Sequence, residues 1–295
     1  MCGIIGIASN KPVSINIINS LKRLEYRGYD SAGLATLINK EINEKKCSGR
    51  VEELEKILFK TPSDGNIGIG HVRWATHGVP NVVNAHPHSS EIVSVVHNGI
   101  IENSDELKKY LESKGLKFKS QTDTEVITLL ITESLKDNGP LESVFKTLNK
   151  LKGSFALGII FKNYNNIIIG ARRGSPLAVG YSNEENYLGS DSYALKSMTN
   201  KISYLDDGDL CVLSKDNVDF YNSKKNKINK KIHILSDDIN ISNKGDYKNF
   251  MSKEIFEQPI TVKTCINEYI DNLKEDINIY NFPIKPSSIN KIIFI

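Results

Sequence analysis

Residues 1–6 read Met-Cys-Gly-Ile-Ile-Gly, and residues 3–8 form a short, β-rich apolar run that predicts a strand directly after Cys2. Removal of Met1 would leave a thiol and a free α-amine together on Cys2. A thiol needs a base to act as a nucleophile, and a typical α-amine, with a pKa of about 7.7–8.0, can be that base. The alternative is a small apolar residue that starts a buried strand, because free cysteine is often buried. Cys2 alone does not distinguish the two.

The composition is that of an ordinary soluble globular protein. The chain has 295 residues, of which 39% are hydrophobic and 25% charged, enough for one large domain or for one medium domain with an appendage. Its 38 basic and 35 acidic residues give a net charge of +3. This balance argues against a nucleic-acid or membrane partner. With no signal-like start and no long apolar run, we expect a cytosolic protein, and we predict no cofactor.

Predicted strands and helices are interleaved along the chain. Apolar spacing predicts helices at 15–24, from Ser104 to about 111, and after Asp123. The predicted strands are 3–8, 32–38, 67–72, 92–97, 154–161, 167–171, 177–179 and 210–213. Strands early, helices in the middle and strands late predict sheets with helices packed outside them.

The pattern breaks in the last fifty residues. A polar stretch at 244–258 followed by Pro259 indicates a domain exit, and a further helix is predicted at 266–273. The final Ile-Ile-Phe-Ile at 292–295 predicts a buried strand. We therefore expect a main domain at 2–240, a linker at 241–259, and the start of a second domain, cut short, at 260–295.

Polar side chains that could bind a substrate or take part in a reaction follow the predicted strand at 67–72. Arg73, Trp74, Thr76 and His77 lie in one loop, where the guanidinium could clamp a carboxylate through paired hydrogen bonds. The alternative is a surface arginine beside a core tryptophan.

Two later segments carry weaker signals. Asn98 and Gly99, at a strand end, offer a side-chain amide and a backbone N–H as donors for an oxyanion, although Asn-Gly alone is also a turn signal. Asp123, at a helix start, could accept a hydrogen bond from a substrate ammonium or could simply complement the helix dipole.

A clustering of histidines raises a different class of protein. Five of the six histidines fall between residues 71 and 97. His86 and His88, with or without Asp123, could serve a metal-dependent hydrolase. Their spacing matches no strong metal signature, and Pro87 between them suits a rigid loop equally well.

Taken in order, these segments resemble the glutaminase domain of the glucosamine-6-phosphate synthases, also called glutamine–fructose-6-phosphate aminotransferases (isomerizing). The resemblance covers roughly residues 2–259 and includes a Lys-Glu-Ile-Phe-Glu-Gln segment similar to the family's interdomain linker. The motifs that carry it are residues 1–6, Leu-Glu-Tyr-Arg-Gly-Tyr-Asp-Ser-Ala-Gly at 24–33, Arg-Trp-Ala-Thr-His-Gly at 73–78, 84–88, His-Asn-Gly-Ile-Ile-Glu-Asn at 97–103, and 122–127.

The resemblance implies an α+β fold, a four-layer αββα sandwich of the N-terminal-nucleophile hydrolase class, followed by a linker and a remnant of an α/β domain. It also implies a role for each site residue. Cys2 would be the nucleophile, and Asn98 with the Gly99 N–H would form the oxyanion hole. The implied glutamine-binding residues are Arg73 for the α-carboxylate, Asp123 for the α-ammonium, Thr76 and His77 in the pocket wall, and Trp74 at the ammonia exit. Arg27 and His86 match family positions near the pocket, but we assign them no catalytic or binding role.

The implied activity is hydrolysis of L-glutamine to glutamate and ammonia, without the sugar isomerase domains that would bind fructose 6-phosphate. Those domains are the implied partner, and the full-length family is homodimeric. We expect that this chain alone neither consumes a sugar phosphate nor responds to one. Two alternatives remain: an inactive glutamine-binding or regulatory remnant with the same pocket, and the metal hydrolase.

Overall fold

The computed structural model describes residues 2–164, 167–235, 246–271, 276–277 and 291. The chain divides into two units, residues 1–238 and residues 239–295. The α-helices are α1 (Ser14–Leu24), α2 (Val51–Lys60), α3 (Ser104–Ser113), α4 (Thr124–Ser134), α5 (Pro140–Leu148), α6 (Ser192–Leu195) and α7 (Phe250–Tyr269). One 3₁₀ turn, Glu25–Arg27, follows α1.

The strands of the first unit are β1 (Gly3–Ala8), β2 (Ser31–Ile38), β3 (Glu41–Ser48), β4 (Ile67–Arg73), β5 (His88–Ser89), β6 (Val93–Ile101), β7 (Gly153–Phe161), β8 (Ile168–Arg173), β9 (Ala178–Tyr181), β10 (Asn186–Gly189), β11 (Lys201–Tyr204), β12 (Leu210–Leu213), β13 (Val218–Tyr221), β14 (Lys227–Ile228) and β15 (His233–Ile234). The second unit contributes β16 (Ile270–Asp271) and β17 (Asp276–Ile277).

Two antiparallel sheets form the centre of the first unit. One has eight strands in the order β15-β11-β9-β10-β1-β4-β2-β3, and the other has seven in the order β14-β13-β12-β8-β7-β6-β5. Their inner faces pack on each other through an apolar layer that includes Ile4, Val96, Ile160 and Leu188. The strands at the centre of both sheets are apolar on both faces, as expected for strands buried on each side.

Helices cover the outer face of each sheet. Helices α1 and α2 pack on the eight-stranded sheet, where Leu21 and Leu54 are fully buried. Helices α3, α4 and α5 pack on the seven-stranded sheet through residues such as Leu111, Ile131 and Val144. Helices α1, α2, α3 and α5 present an apolar stripe to their sheet and charged residues to solvent, whereas α4 is buried along most of its length. The resulting αββα sandwich confirms the predicted fold class.

The register of β1 against β4 brings the predicted nucleophile to the predicted binding loop. Gly3 pairs with Val72 and Ile4 with His71 in this antiparallel ladder. One step further, Cys2 lies opposite Arg73, where β4 ends and the Arg73–Gly78 loop begins. Strand pairing thus brings together Cys2 and Arg73, which are seventy-one residues apart in the sequence.

The second unit differs from the expectation for its residues. Helix α7 starts at Phe250 and continues through Pro259 to Tyr269, so residues 250–258 of the predicted domain exit and residues 266–269 of the predicted separate helix belong to one helix, whereas Ile270–Asp271 form β16. Its Asn249 side chain caps the helix start by accepting a hydrogen bond from Ser252 N at 2.8 Å. The predicted domain boundaries at 240 and 259 stay predictions. The predicted strand at 292–295 lies outside the described residues.

None of the helices in the described part of the chain combines the length and the apolar character that crossing a bilayer requires.

Candidate active site

One cleft at the ends of β1, β4 and β6 collects most of the predicted site residues. The cleft is small and partly open to solvent. Its lining residues are Cys2, Arg73, Trp74, Thr76, His77, His86, His97, Gly99, Thr122, Asp123 and Thr124. Asn98 is the one predicted site residue outside this lining, and its side chain donates a hydrogen bond to the Cys2 carbonyl.

The Cys2 thiol lies against the backbone of the loop after β4. Trp74 N donates to Cys2 Sγ at 3.2 Å, and Trp74 O lies 3.5 Å from the same sulfur. Burial raises the pKa of the Cys2 thiol, while the hydrogen bond from the Trp74 backbone opposes the rise. The raised pKa means that this thiol needs a base to become a nucleophile near neutral pH.

Arg73 is a buried cation that has no acidic partner in the described part of the chain. The residue is only 3% exposed, and among the described residues no carboxylate lies within ion-pair distance of its guanidinium. Nη2 donates to the carbonyls of His77 and Gly78, and Nη1 is buried with no partner in the described part of the chain. A buried guanidinium with a spare N–H edge favours an incoming carboxylate.

Asp123 provides the opposite charge across the same cleft. Its Oδ2 accepts a hydrogen bond from Ile101 N at 2.8 Å, which fixes the carboxylate at the start of α4. No cation of the described residues pairs with Asp123 within 4 Å. An unpaired carboxylate and an unpaired guanidinium on one small cleft match the two charges of an α-amino acid.

Asn98 lies at the junction of the two sheets, one residue before Gly99. Its Nδ2 donates to Cys2 O at 3.0 Å and to Ser190 Oγ at 2.9 Å. Gly99 has a φ of +135°, and a Cβ there would lie 2.1 Å from Ser154 O, so only glycine fits. Asn98 therefore places a fixed carboxamide near the thiol. The Gly99 backbone lies beside it, packed closely against β7.

The mouth of the cleft is formed by aromatic side chains and by the Thr76–His77 pair. Trp74 is 46% exposed and packs edge-on against Tyr29 at 5.9 Å between ring centroids. Thr76 Oγ1 and His77 Nδ1 are 3.3 Å apart. These groups are exposed, whereas Arg73 and Asp123 are buried and held by hydrogen bonds to the backbone.

Four histidines form a buried cluster under the cleft. His71 and His86 have ring centroids 4.2 Å apart, and those of His86 and His88 are 4.8 Å apart. Thr124 Oγ1 bridges His86 Nε2 at 2.8 Å and His97 Nδ1 at 2.9 Å. Burial lowers the pKa of His71 to about 3 and lowers the pKa values of the other three, so all four are neutral near pH 7.

The histidine cluster does not form a metal site in the described residues. The Nε2 atoms of His86 and His88 bond to Thr124 and Thr122 instead. Across the described ranges, no three or more His, Cys, Asp or Glu side chains are grouped so that they could hold a metal ion. The metal-hydrolase alternative, built on His86, His88 and Asp123, therefore lacks a ligand set in this part of the chain.

These neutral histidines make stability depend on pH. In the unfolded chain a histidine protonates below about pH 6.5, whereas the folded cluster disfavours protonation. The stability that the cluster contributes is thus fully present above pH 6.5 and is lost as the pH falls toward the lowered folded values. We expect the free energy of unfolding to drop by up to about 1.4 kcal/mol per pH unit for each buried histidine between pH 6 and 5.

Urea unfolding at pH 7.5, 6.0 and 5.0 measures this slope. The exposed His233 provides a control, since His233→Gln leaves the buried cluster intact and should preserve the slope. A stability that stays level over this range would contradict a neutral, buried cluster.

Gly28 positions the Arg73–Trp74 backbone. A Cβ at residue 28 would lie 2.5 Å from Arg73 C and O and 2.7 Å from Trp74 N. Gly28→Ala should therefore displace the peptide that donates to Cys2 Sγ and destabilise the fold by about 1–3 kcal/mol. At Gly139 a Cβ would meet nothing within 4 Å, so Gly139→Ala is a matched control expected to cost at most about 1 kcal/mol. Equal unfolding midpoints for the two variants would contradict this, because the Arg73–Trp74 loop would then accommodate the added Cβ without cost.

Several residues of the cleft were missed or left without a role by sequence reasoning. Thr122 and Thr124 flank Asp123 and bond to His88 and His97. A Thr-Asp-Thr run just before an otherwise apolar helix was the available signal. Ser190 gave no signal in the sequence, because it meets Asn98 only through the fold.

Comparison with known proteins agrees with this geometry. Residues 71–197 match the glutamine amidotransferase domain family. Glutamine–fructose-6-phosphate aminotransferase [isomerizing] of Bradyrhizobium diazoefficiens is 46% identical over 97% of this chain and 46% of its own length. The enzyme of the same name from Bartonella henselae is 43% identical over the whole chain and 49% of its own length.

Solved structures share the fold. The glutamine phosphoribosylpyrophosphate amidotransferase of B. subtilis matches 77% of this chain and 50% of its own, with a TM-score of 0.67 and 24% identity. A glutamine aminotransferase class-II domain protein from Silicibacter pomeroyi matches 75% of this chain and 99% of its own, with a TM-score of 0.54 and 13% identity.

Residues 71–197 thus match a glutamine amidotransferase domain, and the fold is that of the N-terminal-nucleophile hydrolases. Along nearly its whole length it is homologous to the glutamine–fructose-6-phosphate aminotransferases (isomerizing), as the sequence resemblance predicted. It spans about half the length of the curated relatives that it matches.

Proposed function

We propose that this chain hydrolyses L-glutamine to glutamate and ammonia, with Cys2 as the nucleophile. The observation that carries the proposal is the charge arrangement of the cleft. The Arg73 guanidinium and the Asp123 carboxylate, neither of which has an ion-pair partner among the described residues, share a small cleft with the Cys2 thiol. An α-amino acid held by both charges would present its side chain to the sulfur.

The reaction begins with removal of a proton from the thiol. In the chain without Met1, the α-amine of Cys2 accepts that proton, and the sulfur attacks the carboxamide carbon of glutamine. Negative charge then develops on the carboxamide oxygen. Asn98 Nδ2–H and Gly99 N–H stabilise this oxyanion, each such donor typically contributing about 2.7–4 kcal/mol.

The second half of the reaction releases the products. The protonated α-amine gives its proton to the departing nitrogen, so ammonia leaves as the C–N bond breaks and a glutamyl thioester remains on Cys2. Water, deprotonated by the same amine, attacks the thioester carbon and releases glutamate with the thiolate as leaving group. Thr76 and His77 line the bound glutamine, and Trp74 at the cleft mouth gates the exit of ammonia.

We propose the sugar isomerase domains as the partner that would use the ammonia. The relatives' names include amino transfer to fructose 6-phosphate and isomerisation, and this chain matches about half of each relative. To residues 1–295 we assign glutamine hydrolysis alone, in the cytosol, and we expect added fructose 6-phosphate to be neither consumed nor stimulatory.

A free Cys2 amine is the testable requirement. The chain is prepared by site-specific proteolysis to begin either at Cys2 or with one additional residue, and glutamate release from glutamine is measured for both. Release only by the form with a free Cys2 supports the proposal. Equal release by the extended form would contradict the α-amine as base, and silence of both would favour the inactive, glutamine-binding alternative.

A further inference from the structure

The carboxamide of Asn98 is held from three sides at the junction of the two sheets. Asn98 belongs to β6 of the seven-stranded sheet, whereas its three partners belong to the eight-stranded sheet or flank its strands: His71 lies in β4, Cys2 directly precedes β1, and Ser190 directly follows β10. Apolar side chains fill most of the layer between the sheets. A polar cluster in such a layer is stable only if its members satisfy one another.

Ser190 connects the carboxamide to the strand that carries the nucleophile. It directly follows β10 and is fully buried. Its Oγ accepts from Asn98 Nδ2 at 2.9 Å and from Ile4 N at 2.6 Å, while Ser190 N donates to Ile4 O at 3.1 Å. Because Ile4 lies two residues after Cys2, one hydroxyl fixes Asn98 relative to the thiol.

His71 determines which way the carboxamide faces. Its Nε2 lies 3.0 Å from His97 O and 3.1 Å from Asn98 Oδ1. A backbone carbonyl can only accept, so Nε2 must carry the proton and must donate. The atom of Asn98 facing it is therefore the oxygen, which turns Nδ2 toward Ser190 and Cys2. The lowered pKa of His71 keeps the ring neutral, with this one N–H, at working pH.

We propose that Ser190 and His71 are positioning residues that hold the Asn98 carboxamide with one Nδ2–H toward the reacting residue. The Ser190 bond anchors one N–H and His71 anchors the oxygen. The remaining N–H, donated to Cys2 O in this structure, is the one beside the thiol. This inference rests on the proposed role of Asn98 as oxyanion donor.

Ser190→Ala and His71→Phe test the inference by kinetics. Each should lower kcat for glutamine about 10- to 100-fold, because a donor misplaced by a fraction of an ångström loses much of its effect. KM should stay within about threefold, since Arg73 and Asp123 are untouched. Ser143→Ala is the matched control: Ser143 is also a fully buried serine, on α5, and its Oγ has no partner among the described residues. We expect its kcat to be unchanged.

A double-mutant cycle separates positioning from general support of the fold. In the Asn98→Ala background, Ser190→Ala or His71→Phe should change kcat by less than about twofold, because the group that they orient is already gone. Iodoacetamide alkylation of Cys2, which needs no oxyanion donor, should proceed at the wild-type rate in both single variants. Full kcat in the single variants, or equal losses with and without Asn98, would overturn the inference.

Hydrogen exchange gives a test that does not depend on activity. In the unmutated chain both Asn98 side-chain N–H groups are donated in a buried site, so their NMR signals should exchange slowly with solvent. Ser190→Ala should accelerate this exchange and Ser143→Ala should not. If the unmutated chain fails to hydrolyse glutamine, the proposed function fails while this measurement still decides the positioning. Equal exchange in all three proteins would contradict it.

Discussion

Replacing Cys2 by alanine should reduce kcat for glutamine by a factor on the order of 10⁴ or more, to the background of the assay. Cys2 is the thiol that lies in the cleft, and without its sulfur no thioester can form. Glutamate release measured over hours by a coupled dehydrogenase assay gives the rate.

Cys265→Ala is the control for loss of a thiol, because Cys265 is exposed on α7, in the second unit of the chain. It should retain full activity. A Cys2→Ala protein that keeps more than about 1% of the rate would exclude the covalent route, because direct attack by water on the amide would then be the main reaction.

Neutralising Asp123 should weaken selection for the α-ammonium of the substrate. In Asp123→Asn an oxygen can still accept from Ile101 N, so the fold is preserved while the charge is lost. We expect kcat/KM for glutamine to fall about 10²- to 10³-fold, the usual scale for breaking a buried charge pair. Steady-state kinetics with glutamine and with glutaramate, which lacks the α-amine, measures the effect.

The comparison of substrates makes this prediction specific. Glutaramate should be a poor substrate of the unmutated chain, and Asp123→Asn should lower its kcat/KM by less than about threefold. Asp105→Asn, at an exposed acidic position in the first turn of α3, should change neither substrate. An equal loss on both substrates would indicate that Asp123 supports the cleft structurally instead of binding the ammonium.

Continuous apolar runs were sufficient to predict the strands that build the cleft. Strand β1, β4 and the start of β6 were predicted within two residues, because buried strands in this sandwich are continuous apolar segments. Polar residues at or near the ends of these strands were interpreted chemically, and the structure brings Cys2, Arg73, Gly99 and Asp123 to one cleft.

The elements that were missed have mixed or charged sequences. Strand β3, Glu41–Ser48, reads Glu-Ile-Asn-Glu-Lys-Lys-Cys-Ser and lies at a sheet edge, where charged residues are tolerated and protect against further pairing. Its strand character comes from pairing with β2 along eight residues. Helix α5, which begins at Pro140, was also missed, although Gly139 before it and a proline at the first position are typical of a helix start.

The contact between Ser190 and Asn98 could not be predicted from the sequence, for a different reason. Ser190 and Asn98 are 92 residues apart in sequence, and no periodicity links them. Their contact exists because β10 pairs with β1 while β6 packs across from it. Motifs locate groups that react, whereas the groups that orient them follow from how the sheets face each other.

Intact-mass spectrometry of the chain that begins at Cys2, quenched in acid during turnover of glutamine, tests the central claim most directly. The account predicts a species heavier by one glutamyl group, located on Cys2 by peptide mapping and absent from Cys2→Ala. Active turnover with no adduct under conditions that preserve thioesters, or an adduct on another residue, would contradict Cys2 as the nucleophile.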